Sequence, residues 1–319
     1  MESGFLKDIE CRVCNNRNEN EFSKKFYKED VNIVQCNKCG FVFIPPFYRK
    51  NINYIEYKNE DSLKAVIAGN DWLKIQRHKL RYKTIQKYCK SGKLFDLGVG
   101  WGHFLHTGRL LGYEVTGIEM AKMPFTYAKE YLKLPVDEID FFDYKPLNDN
   151  YDIITMWDVL EHIDNCDKAV EKCALMLKEG GHIVIQVPQI DSFIAKRYKE
   201  NWQAMGLDHV NYFSKETITY FLESKGFEVL RIKSSIEVKL FLMYSFFDKI
   251  RRKQGSSKAT QAERQEYFNK QVNRPKWQLR IIVFTHDILY NILSLLNIGD
   301  EMIVIAQKKK HIISQENNY

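Results

Sequence analysis

The 319-residue sequence has no apolar run of the roughly 18 residues that a membrane-spanning helix needs, and residues 1–10 contain no signal-like apolar segment. Both absences predict a cytoplasmic protein. Cysteine is scarce: there are seven, and four of them form two Cys-x-x-Cys pairs. That usage favours a metal site in a reducing compartment over a disulfide scaffold. The net charge of +7 is modest, and the sequence has no basic stripe interleaved with aromatic residues, which argues against nucleic acid as a partner.

Two cysteine pairs near the N-terminus carry the first chemical signal: Cys11 and Cys14, then Cys36 and Cys39. Their spacing, C-x2-C-x21-C-x2-C, lies one residue beyond the usual window for a zinc ribbon. Four thiolates complete the tetrahedron that zinc prefers, and they leave no open coordination position. Gly40 follows the second pair and suits a turn with positive φ. The pattern predicts a structural zinc ion; four unligated thiols are the alternative.

A glycine-rich turn follows a short apolar strand near residue 95. Its pattern is Asp-x-Gly-x-Gly-x-Gly, formed by Asp96, Gly98, Gly100 and Gly102. A helix is predicted from about residue 103 to 111, so the turn begins the first βα unit of a doubly wound sheet. A dinucleotide-binding turn needs glycine or alanine at the position of His103 or Leu105, so the spacing excludes that class.

Strands and helices alternate after this turn, which is typical of an α/β fold with a parallel sheet. A second strand is predicted at 113–118 and ends at Glu119, where a carboxylate can accept hydrogen bonds from both ribose hydroxyls of a nucleotide. Residues 136–142 are expected to form a third strand and its exit, and a fourth strand begins at Tyr151. A helix at 167–177 is expected to stop at a glycine pair at 180–181, before a fifth strand at 182–187.

These motifs resemble class I S-adenosylmethionine-dependent methyltransferases. The glycine-rich turn resembles their motif I, and residues 151–162 resemble the string that contains their fourth strand. The resemblance implies a Rossmann-like sheet with S-adenosylmethionine over the glycine turn and its ribose on Glu119. It also implies that Asp140 and Phe141 contact the adenine, with core packing as the alternative for Phe141. Trp101 and Trp157 are expected to flank the cofactor.

The segment 208–214 resembles a methyltransferase subgroup linked to bacterial sugar and surface-polysaccharide biosynthesis. Members commonly carry an N-terminal Cys-x-x-Cys ribbon, as this chain does. The resemblance implies a small-molecule or glycan acceptor, such as a nucleotide-linked or lipid-linked sugar. Members that methylate sugar carbons have Tyr-x-Glu-His here, whereas this chain has Gly206, Asp208 and His209. That change favours transfer to oxygen or nitrogen over transfer to carbon.

Two histidines are candidates for the acceptor side of the reaction. The methyl donor is already activated, so an enzyme mainly supplies alignment and, for a hydroxyl acceptor, proton removal. We expect His209 to act as the base, with His162 as the second candidate. Asp158 is expected to orient a histidine. For both histidines the alternative is a structural role beside a neighbouring carboxylate, which is Glu161 or Asp158 for His162 and Asp208 for His209.

The predicted organisation has five parts: a zinc ribbon at 1–50, a linker and helix at 51–90, a methyltransferase core at 91–235, a helical insert at 236–299, and a final strand and tail at 300–319. The insert is expected to cap the sheet or pair two copies of the chain, or else to lie on a membrane surface. The chain is expected to be a monomer or a homodimer. Two other functions stay open: an RNA methyltransferase, and a non-catalytic scaffold that binds the cofactor.

Overall fold

The computed structural model describes residues 4–49, 71–145, 150–235 and 299–310, with isolated positions at 63 and 66 and between 277 and 296. Most of the predicted insert at 236–299, and the linker before residue 71, therefore lie outside the described residues. The isolated positions at 277, 281, 284 and 288 are helical, as expected there. No helix within the described ranges combines the length and the apolar composition needed to cross a bilayer.

The described residues form eleven strands and seven α-helices. In chain order the strands are β1 Phe22–Lys28, β2 Val31–Cys36, β3 Val42–Phe43, β4 Lys93–Leu97, β5 Glu114–Ile118, β6 Val136–Asp137, β7 Tyr151–Trp157, β8 Leu177–Pro188, β9 Asn211–Tyr212, β10 Phe227–Ser235 and β11 Glu301–Lys308. The helices are α1 Pro46–Arg49, α2 Asp71–Ile85, α3 His103–Leu110, α4 Lys122–Thr126, α5 Cys166–Met176, α6 Phe193–Tyr198 and α7 Lys215–Ser224.

A seven-stranded sheet forms the centre of the molecule, in the order β10-β11-β8-β7-β4-β5-β6. Strands β4 to β8 run parallel, and β11 is antiparallel to both of its neighbours. Because β4 has β5 on one side and β7 on the other, the strand order reverses at β4. In such sheets the ligand crevice opens at the carboxyl ends of the two strands beside this switch point.

Helices cover the two faces of this sheet, so neighbouring residues on its central strands are buried in different clusters. Phe95 packs with Val170 of α5 in one apolar cluster. Leu94 packs in the other cluster, together with Tyr82 of α2 and Leu105 of α3. Burial on both faces fixes the strand register, and with it the position of each strand end at the crevice.

A second, four-stranded sheet has the order β1-β2-β3-β9. Three of its strands belong to the N-terminal cysteine segment, whereas β9 follows the central strand β8 in the chain. Val42 pairs with Tyr212 and Phe43 pairs with Asn211. The backbone N–H of Ile44 also donates to the carbonyl of Val210 at 3.0 Å. The cysteine segment is therefore joined by backbone pairing to the loop after β8.

Within the expected third strand and its exit, 136–142, the strand is short, because only Val136–Asp137 pairs with the sheet. Beyond it, a carboxylate oxygen of Asp140 accepts the backbone N–H of Phe142 at 2.7 Å. An aspartate that bonds the backbone two residues ahead stabilises a turn in place of a strand.

The expected helix stop at Gly180 and Gly181 is wrong. Helix α5 ends at Met176, and Leu177 already pairs with Tyr151 in the sheet. A Cβ added at Gly181 would lie 2.9 Å from the carbonyl oxygen of Lys178. The glycines therefore allow close backbone approach and a positive φ at the irregular start of β8, where Gly180 has a φ of +74°.

Candidate active site

The turn after β4 has a backbone that only glycine adopts easily. Gly98, Gly100 and Gly102 have φ values of +78°, +56° and +78°. A Cβ at Gly98 would lie 2.5 Å from a methyl group of Val159. The N–H groups of Gly98 and Val99 both donate to the carbonyl of Ile118 at 3.0 Å, which fixes the turn against β5. The turn thus offers a rigid, side-chain-free surface to a ligand.

Asp96 lies buried beneath this turn, and its carboxylate joins β4 to β7. One oxygen accepts the hydroxyl proton of Thr155 at 2.5 Å. Burial raises the pKa of Asp96 to about 8, although the bond from Thr155 and the charge of Arg81 oppose the rise. These contacts link β4 and β7 through the Asp96 side chain at the switch point. Direct contact of Asp96 with a cofactor stays a prediction.

Glu119 lies at the end of β5, as expected, and its carboxylate meets the glycine turn. One oxygen accepts the N–H of Gly100 at 2.6 Å, and the other accepts the N–H of Ala121 at 2.8 Å. An ionised carboxylate has about four acceptor positions, so these two bonds leave capacity for two hydroxyls. The ribose contact of Glu119 stays a prediction that this geometry permits.

The two tryptophans expected beside the cofactor pack against different parts of the fold. Trp101 follows Gly100 and meets Tyr127 edge-on, with ring centroids 5.8 Å apart. Trp157 ends β7 and packs against Phe104, with ring centroids 4.9 Å apart. The guanidinium of Arg81 lies 4.2 Å from the centroid of the Trp157 ring, a cation–π contact that the sequence did not indicate.

Asp140 and Phe141 lie in the turn after β6. The side chain of Phe141 is buried in the core, and the ammonium of Lys172 lies 4.9 Å from its ring centroid. The same ammonium donates to the carbonyl of Phe141 at 2.5 Å. The side chain is therefore committed to packing, and adenine binding by Asp140 and by the backbone of Phe141 stays a prediction.

Asp158 follows β7 directly and has a φ of +58°, a conformation that is uncommon for residues other than glycine. The buried side-chain amide of Gln186 donates to both of its carboxylate oxygens, at 2.9 and 3.1 Å. Gln186 also bonds Glu301 at 2.9 Å and accepts from Arg81 at 3.3 Å. This network holds the carboxylate at the strand end in one place.

Three side chains meet just beyond Asp158: Glu161, His162 and His209. One carboxylate oxygen and one nitrogen from each ring all lie within 4.8 Å of one another. The two imidazoles meet edge to face, with centroids 4.6 Å apart. Glu161 and His162 belong to a 3-10 turn, Leu160–His162, and His209 lies just before β9.

Strand β9 holds the two parts of this cluster together. The N–H of Val210 donates to the carbonyl of Glu161 at 2.8 Å. The buried amide of Asn211 donates to the carbonyls of Leu160 and Ile163, at 3.1 and 2.7 Å. These bonds fix the 3-10 turn against the strand, so the cluster depends on the second sheet.

The hydrogen bonds of the two histidines define which ring nitrogen carries the proton in the neutral form. Nδ1 of His162 lies 2.8 Å from the carbonyl oxygen of Asp208, and Nδ1 of His209 lies 2.8 Å from that of Ala204. A carbonyl only accepts, so each Nδ1 carries the proton and each Nε2 of a neutral ring is an acceptor. Burial, and then the neighbouring His162, lowers the pKa of His209 to about 4.

Glu161 has the least expected environment of the three. Its side chain is fully buried, and neither carboxylate oxygen has a hydrogen-bond partner among the described residues. Burial, and then the charge of Asp158, raises its pKa well above the ordinary value. Buried carboxylates are normally paired or hydrogen-bonded, so this one needs an explanation.

The four paired cysteines form a compact cluster at the other end of the second sheet. All four Sγ atoms lie within 4.8 Å of one another. The Cys11 and Cys39 sulfurs are 3.5 Å apart, and the Cys14 and Cys36 sulfurs are 3.7 Å apart. Gly40 has a φ of +79°, as expected, and its N–H donates to the carbonyl of Cys36 at 2.8 Å.

Residues 72–232, half of the 319-residue chain, match the family described as a methyltransferase domain. The chain belongs to this methyltransferase family. Its mixed α/β sheet is the Rossmann-like fold expected from the sequence, and the protein is an S-adenosylmethionine-dependent methyltransferase.

The chain is also similar to other protein sequences over part of its length. An uncharacterised protein of Methanocaldococcus jannaschii is 26% identical over 180 residues, which cover 56% of this chain and 83% of that one. A ubiquinone biosynthesis O-methyltransferase of Photobacterium profundum is 31% identical over 97 residues, which cover 28% of this chain and 41% of that enzyme. The match to that enzyme thus spans less than half of its length.

Solved structures of similar fold include a methyltransferase from Archaeoglobus fulgidus described as dependent on S-adenosylmethionine. It has 18% identity and a TM-score of 0.47, and the match covers 72% of this chain and 92% of that one. A phosphoethanolamine N-methyltransferase of Haemonchus contortus, bound to S-adenosylmethionine, has 14% identity and a TM-score of 0.49. That match covers 82% of this chain and 59% of that one.

In this methyltransferase, the predicted acceptor-side residues lie at the same sheet edge as the glycine turn. The contact of Val159, next to Asp158, with Gly98 makes that proximity direct. The structure brings His162 and His209 together, although the sequence analysis predicts them as alternative candidates for the base. Sequence reasoning missed Arg81 and Gln186, because neither lies in a motif and both act through long-range contacts.

Glu161 was considered only as a neighbour of His162. A signal was available, since it lies within the family-like string 151–162 beside a candidate histidine. Its burial, and the lack of a hydrogen-bond partner for it among the described residues, were not visible in the sequence.

Proposed function

We propose that this methyltransferase transfers a methyl group to a hydroxyl oxygen of a sugar or surface-glycan precursor. The observation that carries the proposal is the pair His162 and His209, whose Nε2 atoms are acceptors at the sheet edge that carries the glycine turn. Groups that assist proton loss from a hydroxyl suit O-transfer. The relatives described as ubiquinone biosynthesis O-methyltransferases are consistent with transfer to oxygen, but they do not support a glycan acceptor.

The residues of the cofactor half fit S-adenosylmethionine. The three positive-φ glycines give close backbone approach, and Glu119 keeps acceptor capacity for ribose hydroxyls. When bound, the cofactor supplies a methyl group already activated on a sulfonium sulfur. The chain then has to hold the donor rigidly and exclude other orientations, which the bonds from the turn to Ile118 and Glu119 achieve.

On the acceptor side, the histidine pair assists loss of the hydroxyl proton. Their Nδ1 bonds to backbone carbonyls fix both rings, and Asp158 is held by Gln186 at the entrance to the cluster. These fixed side chains would hold the hydroxyl, and the glycine turn at the neighbouring strand end would hold the methyl donor. Proximity and orientation of this kind supply much of the rate enhancement in a displacement reaction.

We also propose that the four cysteines hold a structural zinc ion. Their mutual Sγ distances, below 4.8 Å, fit four ligands around one ion. Thiolates favour zinc, and four of them leave no position for a substrate. The ion would then stabilise the ribbon that carries β3, the partner strand of β9.

The glycan acceptor is supported by the pairing of a cysteine ribbon with the segment 208–214. The test is methyl transfer from a labelled donor to three acceptor pools: nucleotide-linked sugars, a dihydroxybenzene and total RNA. We expect label in a sugar product. Label only in the dihydroxybenzene would overturn the glycan acceptor, label only in RNA would favour the nucleic-acid alternative, and no label in any pool would favour a non-catalytic scaffold.

A further inference from the structure

We propose that Glu161, His162 and His209 form a second metal site, which binds a divalent transition-metal ion of the Mn2+ or Zn2+ class. The ion would bind the acceptor oxygen, and this latter part rests on the proposed O-transfer. The site itself does not depend on the identity of the acceptor.

The ligand set supports this class of ion. One carboxylate and two imidazoles, with candidate atoms within 4.8 Å of one another, match the sets that hold catalytic zinc and non-haem iron. Three protein ligands leave at least one coordination position open. The four-thiolate cluster has no such position, so the two sites differ in purpose.

Both histidines are prepared as ligands. Metal-binding histidines normally donate their second ring N–H to a carbonyl or carboxylate, which fixes the tautomer and the ring orientation. His162 and His209 do so through Nδ1, at 2.8 Å in each case. The nitrogen left as an acceptor is Nε2 in both rings, and it carries the lone pair that a metal requires.

Glu161 provides the independent observation. Its carboxylate is fully buried, makes no hydrogen bond among the described residues, and faces the two imidazoles. No lysine or arginine of the described ranges forms an ion pair with it, and the acidic side chains of Asp158 and Asp208 add to the effect of burial in opposing a negative charge on it. A bound cation would satisfy this carboxylate, whereas a purely structural role leaves its oxygens unexplained.

The ion changes how the acceptor loses its proton. A cation that binds the acceptor oxygen lowers the pKa of the hydroxyl, which releases its proton to solvent. The oxygen lone pair then forms the new bond to the methyl carbon, and the carbon–sulfur bond breaks with its electron pair left on sulfur. In this scheme Nε2 of His209 assists proton loss as a ligand of the ion, which polarises the hydroxyl.

The test is a titration of the full chain, with its cysteine site saturated with zinc, by Mn2+ followed by electron paramagnetic resonance. Mn2+ prefers oxygen and nitrogen ligands to thiolates, so it reports the second site. We expect one Mn2+ per chain, and at least roughly tenfold weaker binding in Glu161→Gln and in His209→Asn. The matched control is His182→Asn, within β8 and outside the proposed ligand set, which should bind as the native chain does.

The cofactor affinity of each variant, measured by calorimetry, shows whether it is folded. Retained cofactor affinity with weakened Mn2+ binding in either variant supports the metal site. Equal Mn2+ affinity in the native chain and both folded variants, or no Mn2+ binding by the native chain, would overturn it. If the native chain binds Mn2+ but methylates no hydroxyl, the proposed function fails and the site stands; if hydroxyls are methylated without Mn2+ binding, only the site fails.

Discussion

The cysteine cluster and the Glu161 cluster lie on the same small sheet but are built in opposite ways. Each Cys-x-x-Cys turn brings its two sulfurs together locally, and one strand pairing, β1 with β2, helps to close the set. Glu161 and His162 come from one end of the central sheet, and His209 comes from a distant loop. The cysteine cluster has four thiol ligands from two short turns, and these leave no further coordination position on the proposed zinc ion. The Glu161 cluster combines a carboxylate with two imidazoles, leaves a coordination position open in the proposed metal site, and is assembled by tertiary contacts.

The backbone pairing of β3 with β9 connects these two clusters. Ile44 and Phe43 bond the segment that begins directly after His209. The cysteine cluster can therefore support the Glu161 cluster, since loss of the ribbon removes the strand against which β9 is fixed. This dependence of the Glu161 cluster on the cysteine ribbon leads to four predictions, given in decreasing order of effect.

Substitution Cys36→Ser should be the most damaging change. It removes a buried ligand from the proposed zinc site, and metal-dependent small domains unfold without their ion. We expect a loss of about 4 kcal/mol or more in the free energy of unfolding, with loss of methyl transfer. Denaturant unfolding and zinc content measure it.

Cys89→Ser is the matched control, because this half-buried thiol lies outside the cluster and donates to the carbonyl of Ser91. It should change stability by less than about 1 kcal/mol. Equal effects of the two substitutions would show that the cysteine cluster has no special structural weight.

Unlike Cys36→Ser, the substitution His209→Ala should abolish turnover and leave the free energy of unfolding largely unchanged. Whether the ring acts as base or as metal ligand, its removal should lower kcat on the order of 100-fold, while the dissociation constant of the cofactor stays nearly unchanged. Steady-state kinetics and calorimetry test this. Native turnover in the variant would exclude His209 from the reaction, and His182→Ala should leave kcat unaltered.

Asn211→Ala tests the connection between the sheet and the open cluster. Its buried amide donates to the carbonyls of Leu160 and Ile163, so its removal takes one donor from each carbonyl and frees the turn that carries Glu161. We expect a loss of about 1–3 kcal/mol in stability and a fall in kcat of about tenfold. Zinc content should be unchanged.

Retained kcat in Asn211→Ala would mean that the Glu161 turn is positioned without β9. A drop in zinc content would instead show that the cysteine cluster depends on this strand. The first result would show that the Glu161 cluster does not depend on the second sheet. The second would show that support passes from β9 to the cysteine cluster.

Gln186→Ala should have the smallest effect. It removes the two bonds that hold the carboxylate of Asp158, but it touches none of the three clustered side chains directly. A fall in kcat of about two- to tenfold is expected, with the metal content of both sites retained. Gln307→Ala, which removes a glutamine bond to the carbonyl of Gly180 on the same sheet, should leave kcat unchanged.

Much of the cofactor half could be predicted because its signals are local. The turn from Asp96 to Gly102 depends on which residues tolerate positive φ, and that preference is written in the sequence itself. Glu119 could be placed because a strand end positions its side chain directly. The Gly180–Gly181 pair misled because glycine suits both a helix stop and a close strand contact, and only the pairing of Leu177 with Tyr151 distinguishes them.

The acceptor half depends on contacts between residues far apart in sequence. His162 and His209 were separate candidates, and nothing local indicates that their rings meet. Arg81 and Gln186 reach Asp158 through side-chain bonds between a helix and a strand. Such contacts follow from packing, which a motif does not encode.

By itself, the sequence determined the methyltransferase family, the glycine turn and the four-cysteine spacing, because each depends on the intrinsic properties of neighbouring residues. The tertiary structure decided that the cysteine segment extends its sheet with β9, and that Glu161 lies buried beside two oriented histidines with no hydrogen-bond partner among the described residues. The physical reason is that burial and hydrogen-bond satisfaction belong to the packed chain, since each depends on residues that only the fold brings together.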